Sequence, residues 1–213
     1  DKVAQKYGCE VIDVLTGFKF IGEQIALLES KGDADRYVLG FEESYGYLPG
    51  TYVRDKDAVV AALLLSEIAA VLKKEGRTLA DYMDELYKEY GYYTKLLINS
   101  YFEGSKGMSQ MKEIMDNLRE NPPSQINGTN VVSVSDYLTG VCTENGNTKK
   151  LTLPKSDVLA YRLIDGADVI IRPSGTEPKI KVYIISVSAD RETSRIEAEK
   201  LSDYMNKLLA RKH

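Results

Sequence analysis

The chain has 213 residues, 43% of them hydrophobic and 28% charged, with a formal net charge of −4; this is soluble-globular composition with room for one large domain or two small ones. The acidic balance excludes a broad nucleic-acid surface, which needs a basic excess, so any anion site must be a local cluster. The longest apolar run, 58–65, is too short to span a bilayer, and Cys9 and Cys142 make no disulfide framework, so a reducing compartment, the cytoplasm, is expected.

The chain opens at Asp1 with no charged stretch followed by an apolar core, and "DKVAQKYGCEVIDVL" reads as helix then strand, as if entered in mid-domain. A fragment is the expectation. Residues 10–15 are expected as a short strand, 20–30 as a helix by apolar spacing, and 37–41 as a second strand. Asp55 or Asp57 caps a helix from Ala58 to near Gly76, ending after Lys73-Lys74. That helix is apolar on most sides, so burial is expected. In "TLADYMDELYKEYG", Thr78 and Asp81 resemble a capping box, and Leu79, Tyr82, Met83, Leu86, Tyr87 and Tyr90 share a face.

Gly91 closes that helix, and the pattern changes after it. The expected division is 1–92, the α/β part of a domain with a mixed sheet and helices, and 93–213, an α+β domain with a small antiparallel sheet and helices on one face. In the second part, 93–102 reads as a strand. Met108, Met111, Ile114, Met115 and Leu118 form a helix stopped by Pro122-Pro123. Strands are expected around 131–134, 169–172 and 180–186, then a helix using Ile196, Leu201, Met205, Leu208 and Leu209.

Three loops could carry chemistry. In "VIIRPSGTEPKIKVYII", residues 169–185, alternation sends Ile180, Val182 and Ile184 to a core and Lys179, Lys181 and Tyr183 to the open face. Ser174, Gly175 and Thr176 can aim backbone N–H groups and hydroxyls at one point, an anion nest. Arg172 adds a fork suited to phosphate. The same pattern also fits a solvated hairpin. "GFEESYGYLPGTYVRDKD", residues 40–57, follows a strand and precedes a helix, where open α/β sheets bind ligands. Its Glu42, Glu43 and Ser44 offer acceptors for sugar hydroxyls, and Lys56 lies beside the next helix N-terminus, suited to proton transfer. Taken alone, plain capping by Asp55 and Asp57 with a solvent-exposed Lys56 accounts for it somewhat better. Thr16-Gly17-Phe18-Lys19 alone is a turn. His213 is the single histidine and the last residue, which excludes a serine–histidine triad or a histidine metal site.

In this order, "TGFKFIGE", "GFEESYGY…VRDKD" and "RPSGTEPKIKVY" resemble the phosphoglucomutase/phosphomannomutase family, the alpha-D-phosphohexomutases. The resemblance implies the end of the third and all of the fourth of the family's domains. It implies that Thr16, Gly17, Glu42 and Ser44 contact the sugar and that Lys56 is the general acid/base. Arg172, Ser174, Gly175 and Thr176, with Lys181, would grip the non-reacting phosphate. The implied activity is interconversion of hexose 1-phosphate and 6-phosphate through an enzyme phosphoserine, with a hexose 1,6-bisphosphate intermediate. No counterpart of that serine's motif occurs here. The family's magnesium loop, Asp-x-Asp-x-Asp-Arg, is imitated by "KGDADR", residues 31–36, but Lys31 replaces the first Asp; magnesium is therefore expected outside this chain, and no metal ligand within it. The expected partners are the hexose phosphate and the missing N-terminal domains of the same chain, with no nucleic acid and no membrane; alone, the chain would be inactive. The alternative is a non-catalytic sugar-phosphate-binding module.

Overall fold

Helices begin where side chains satisfy free backbone amides, and this chain does so repeatedly. Asp57 accepts from the amides of Val59 and Val60 and starts α3, Ala58–Lys74. Thr78 and Asp81 exchange reciprocal bonds of 2.8 Å and 3.2 Å at the head of α4, Leu79–Tyr90, the expected capping box. Asp190 accepts from the Thr193 amide at 2.8 Å and starts α6, Arg191–Leu209. The computed structural model describes residues 1–42, 45–104 and 106–210, in two compact units, Asp1–Leu86 and Tyr87–His213.

The first unit opens with a short helix α1, Lys2–Lys6, then α2, Phe18–Ser30, and a 3-10 turn at Ala34–Arg36. The strands β1, Gly40–Glu42, and β2, Gly46–Leu48, pair antiparallel with Gly40 opposite Leu48 and Glu42 opposite Gly46; α3 and α4 follow. Its core is Phe18, Ile21, Ile25 and Leu48, with Val14 and Tyr37 against it. Gly40 has to be glycine: a methyl group there would lie 2.4 Å from both Ile21 Cγ2 and the Tyr37 hydroxyl. That hydroxyl in turn donates to the Leu48 carbonyl at 2.9 Å.

Two expectations fail in this unit, and a third is displaced, since the strand expected at 37–41 begins only at Gly40. Residues 10–15 are not a strand; among the described residues no ladder partner reaches them. And α3, expected to be buried, is open: of its residues only Leu72 is buried, while Val59 is 80% and Leu63 56% exposed. Two strands of three residues make no sheet wide enough to cover a 17-residue helix.

The second unit is built on β3, Tyr92–Tyr101; α5, Gly107–Glu120; β4, Gln125–Ile126; β5, Thr129–Asp136; β6, Val141–Glu144; β7, Asn147–Lys150; β8, Leu159–Leu163; β9, Asp168–Pro173; β10, Lys179–Ser188; and α6. The sheet runs β3-β10-β9-β8-β5-β6-β7, with β4 paired to β5, and every pairing is antiparallel. It is larger than the sequence suggested, because β6, β7 and β8 escaped the reading. The first two are joined by Asn145-Gly146 with φ of 49° and 81°, the left-handed pair that a two-residue hairpin requires. Alternation buries Ile180, Val182 and Ile184 with Val169, Ile171, Leu159, Tyr161 and Leu163. Met111, Ile114, Met115 and Leu118 of α5 and Ala198, Leu201, Met205 and Leu209 of α6 complete this core. Both helices thus lie on one face and leave the other open. No helix among the described residues is long and apolar enough to cross a membrane.

Candidate functional site

Each unit gathers its own cluster of polar groups. In the first, Gly17 caps α2 with φ of 125°, a conformation that side chains rarely tolerate. It turns the chain so that Phe18, the next residue, enters the core at 5% exposure while Thr16 stays exposed. Glu42 ends β1 with its side chain 16% exposed. Its ladder partner is Gly46, where a methyl group would sit 2.8 Å from Glu42 Cγ; the glycine makes the space in which the carboxylate lies.

Lys56 meets this carboxylate from the entry to α3. Its Nζ is 3.7 Å from Glu42 Oε1 and 3.2 Å from Asp55 Oδ1, and it stands 5.5 Å from the centroid of the Phe18 ring. The Lys56 backbone N–H and ammonium hold the Asp55 carboxyl below the usual carboxylate range. The Tyr52 hydroxyl, then the Val60 N–H, does the same for Asp57. The cap and the neighbouring lysine are therefore separate functions of adjacent aspartates. Three segments distant in sequence, at Phe18, Glu42 and Lys56, meet around one ammonium. Glu43 and Ser44, expected beside Glu42, lie outside the described residues.

In the second unit, Arg172 lies within β9, still on the ladder, and its register partner on β10 is Lys181. Lys181 in turn pairs with Asn99 of β3. Arg172, Lys181 and Asn99 thus stand side by side on the open face, with Lys179 and Tyr101 forming the next row. Among the described residues no salt bridge engages Arg172 or Lys181, whereas Lys179 is held by Glu177 at 2.5 Å and lies 5.6 Å over the Tyr101 ring. The ammonium of Lys179 keeps Glu177 below the usual carboxylate range. Beyond the ladder, the Ser174 amide donates to the Lys179 carbonyl at 2.8 Å, and the Thr176 amide to Ser174 Oγ at 3.5 Å. The expected nest is therefore smaller than its sequence suggests, since the Ser174 N–H is used to close the turn. A methyl group on Gly175 would meet nothing within 4 Å, so backbone approach there is open.

Asn99 and Phe18 were missed by the sequence reading. Asn99 was legible as the residue between Ile98 and Ser100 on the alternating strand. Phe18 reads only as part of the Thr16–Lys19 turn. The "KGDADR" segment forms the 3-10 turn, with Arg36 paired to Glu10 at 3.3 Å and to Asp33 at 3.8 Å. Among the described residues no three carboxylate, imidazole or thiol groups converge as a cation site.

Residues 1–90 match the family model described as phosphoglucomutase/phosphomannomutase, alpha/beta/alpha domain III. Residues 97–201 match that of the phosphoglucomutase/phosphomannomutase C-terminal domain. A phosphoglucomutase of Staphylococcus epidermidis is 36% identical over 203 residues, covering 94% of this chain and 36% of the relative. One of Staphylococcus aureus is 39% identical over 184 residues, covering 85% of this chain and 33% of the relative. The chain thus spans about a third of the length of these curated relatives. Among solved structures, the open form of the exocytosis-sensitive phosphoprotein pp63/parafusin, a phosphoglucomutase from Paramecium, has a TM-score of 0.63 at 21% identity. That likeness covers 98% of this chain and 34% of the other and concerns the fold.

Proposed function

Because the chain belongs to the phosphoglucomutase/phosphomannomutase family, we propose that it is the sugar- and phosphate-gripping portion of a longer phosphohexomutase. That polypeptide interconverts hexose 1-phosphate and 6-phosphate through a phosphoserine carried outside residues 1–213. The observation that supports this most is the pairing of Arg172 with Lys181 on the open face of the sheet, beside Ser174–Thr176. Two adjacent cations without a salt bridge among the described residues, next to hydroxyls and an unobstructed glycine, suit a phosphate dianion in charge.

In this reading Arg172 and Lys181 hold the phosphate that is not being transferred, with Ser174, Gly175 and Thr176 closing over it. Glu42, with Ser44 and the Thr16–Gly17 turn, accepts the ring hydroxyls. The Lys56 ammonium gives its proton to the sugar oxygen as that oxygen's bond to phosphorus breaks and the serine oxygen bonds to phosphorus; the amine left behind accepts the proton of the sugar hydroxyl when that hydroxyl attacks phosphorus in the opposite direction. Most of the work is positioning and charge neutralisation, as phosphoryl transfer demands. Magnesium is assigned outside these residues, since the donors present do not fit it, and no step here runs through it. The open α3 supports the partner assignment: a domain described as alpha/beta/alpha needs a sheet for that helix to lie on. The upstream part of the longer chain supplies it. Alone, residues 1–213 bind but do not turn over.

The test is calorimetric titration of the chain with glucose 6-phosphate and with glucose. The phosphorylated sugar should bind, glucose should not, and Arg172→Ala should weaken binding by about 1.5–3 kcal/mol, the range for hydrogen bonds to charged groups. The urea midpoint should stay within about 0.5 kcal/mol of stability, as for a change outside the core. Equal binding by Arg172→Ala would remove the hairpin from the phosphate site.

A further inference from the structure

Lys56 is a flexible side chain, 49% exposed, and of its three contacts among the described residues two are poor anchors. Asp55 is 74% exposed, and an exposed ion pair holds a lysine only weakly. Glu42 at 3.7 Å is beyond hydrogen-bond distance, so it attracts the ammonium without fixing its direction. The third contact is different in kind. The Phe18 ring is buried, packed with Ile21, Ile25 and Leu48, and its backbone is set by Gly17 at the first turn of α2. Its distance of 5.5 Å to Nζ is within the range of cation–π attraction. A ring face attracts the ammonium without consuming its N–H donors in a directed bond, so those donors remain available to a hydroxyl.

We propose that Phe18 is a positioning residue: its ring holds the Lys56 ammonium beside Glu42 when the carboxylate turns to substrate. This rests on the proton-transfer role of Lys56 proposed above. The sequence "TGF" then has a division of labour. Gly17 makes the turn, and Phe18 is both the plug of the small core and the surface under the lysine.

The experiment compares Phe18→Leu, Phe18→Tyr and Lys56→Met in the longer polypeptide that carries this chain, assayed with glucose 1-phosphate. Leucine keeps apolar bulk without a ring face; tyrosine keeps the face. Phe18→Leu should lower kcat about fivefold, the ratio that roughly 1 kcal/mol of cation–π attraction gives, with KM within about twofold. Phe18→Tyr should restore kcat at an equal urea midpoint, which a purely structural role does not predict. If Lys56→Met abolishes turnover while Phe18→Leu leaves kcat intact, the positioning role is wrong and the role of Lys56 stands. If Lys56→Met leaves turnover intact, the underlying reading fails instead. A second measurement needs no variant to fold: the Lys56 ε-methylene protons of the 213-residue chain should show an upfield ring-current shift in NMR spectra. Ordinary lysine shifts there would overturn the contact itself.

Discussion

The two units bury their apolar residues to very different degrees. In the second, α5 and α6 close over one face of a sheet that alternates cleanly, and Val169, Ile171, Ile180, Val182 and Ile184 reach zero exposure. In the first, a core of Phe18, Ile21, Ile25 and Leu48 coexists with α3, most of whose apolar residues stand in solvent. Both are rich in aliphatic side chains, so hydrophobicity is not the difference. The second unit contains both layers that its helices need, and the first contains helices whose sheet is reduced to two short strands. An all-round apolar helix states a demand for neighbours on several sides, and only a chain that brings those neighbours can satisfy it.

The strongest way to break this contrast is to cut into the closed core. Ile184→Ala should cost about 2–5 kcal/mol, the transfer loss plus the cavity, read as a lower urea midpoint for hydrogen-exchange protection in β9 and β10. A loss under about 1 kcal/mol would mean that the core is not close-packed. In the first unit the sensitive point is a close approach. Gly40→Ala places a methyl group against Ile21 and Tyr37 and should cost about 1–3 kcal/mol by overpacking, followed as loss of protection in β1 and β2. The smallest effect belongs to α3. Leu63→Ala in this chain should move stability by less than about 0.5 kcal/mol, because an exposed leucine gives up little on truncation. In the longer polypeptide the same change should cost about 2–5 kcal/mol once a sheet covers the helix. An equally small cost in both chains would show that nothing packs on α3.

Local signals were legible wherever the chain satisfies them by itself. The Asp57 cap, the Thr78–Asp81 box and the alternation of 180–184 each depend on residues a few positions apart, and the structure forms all of them. The 10–15 strand and the burial of α3 would each need non-local neighbours, which no local pattern specifies, and the structure forms neither. The strands β6 and β7 were missed for another reason: Asn145-Gly146 is a strong turn signal, but exposed "NTKK" has no apolar alternation to accompany it. At the candidate site, Arg172 and Lys181 were legible as neighbours of one turn. Their side-by-side placement is a matter of register, which only the pairing of Ile180 with Pro173 reveals. Phe18 under Lys56 spans segments 38 positions apart, and no local pattern announces it.

The register of β9 and β10 has one more consequence. Like charges facing each other across a ladder repel, so the pairing of Arg172 with Lys181 leaves the hairpin with a small electrostatic tension. The spacing of the two charges is set by main-chain hydrogen bonds and not by the loop at 174–178. If the dianion proposed above settles between Arg172 and Lys181, it discharges that tension, so anion capture and fold stability would be coupled, and anion binding should raise the urea midpoint of the second unit.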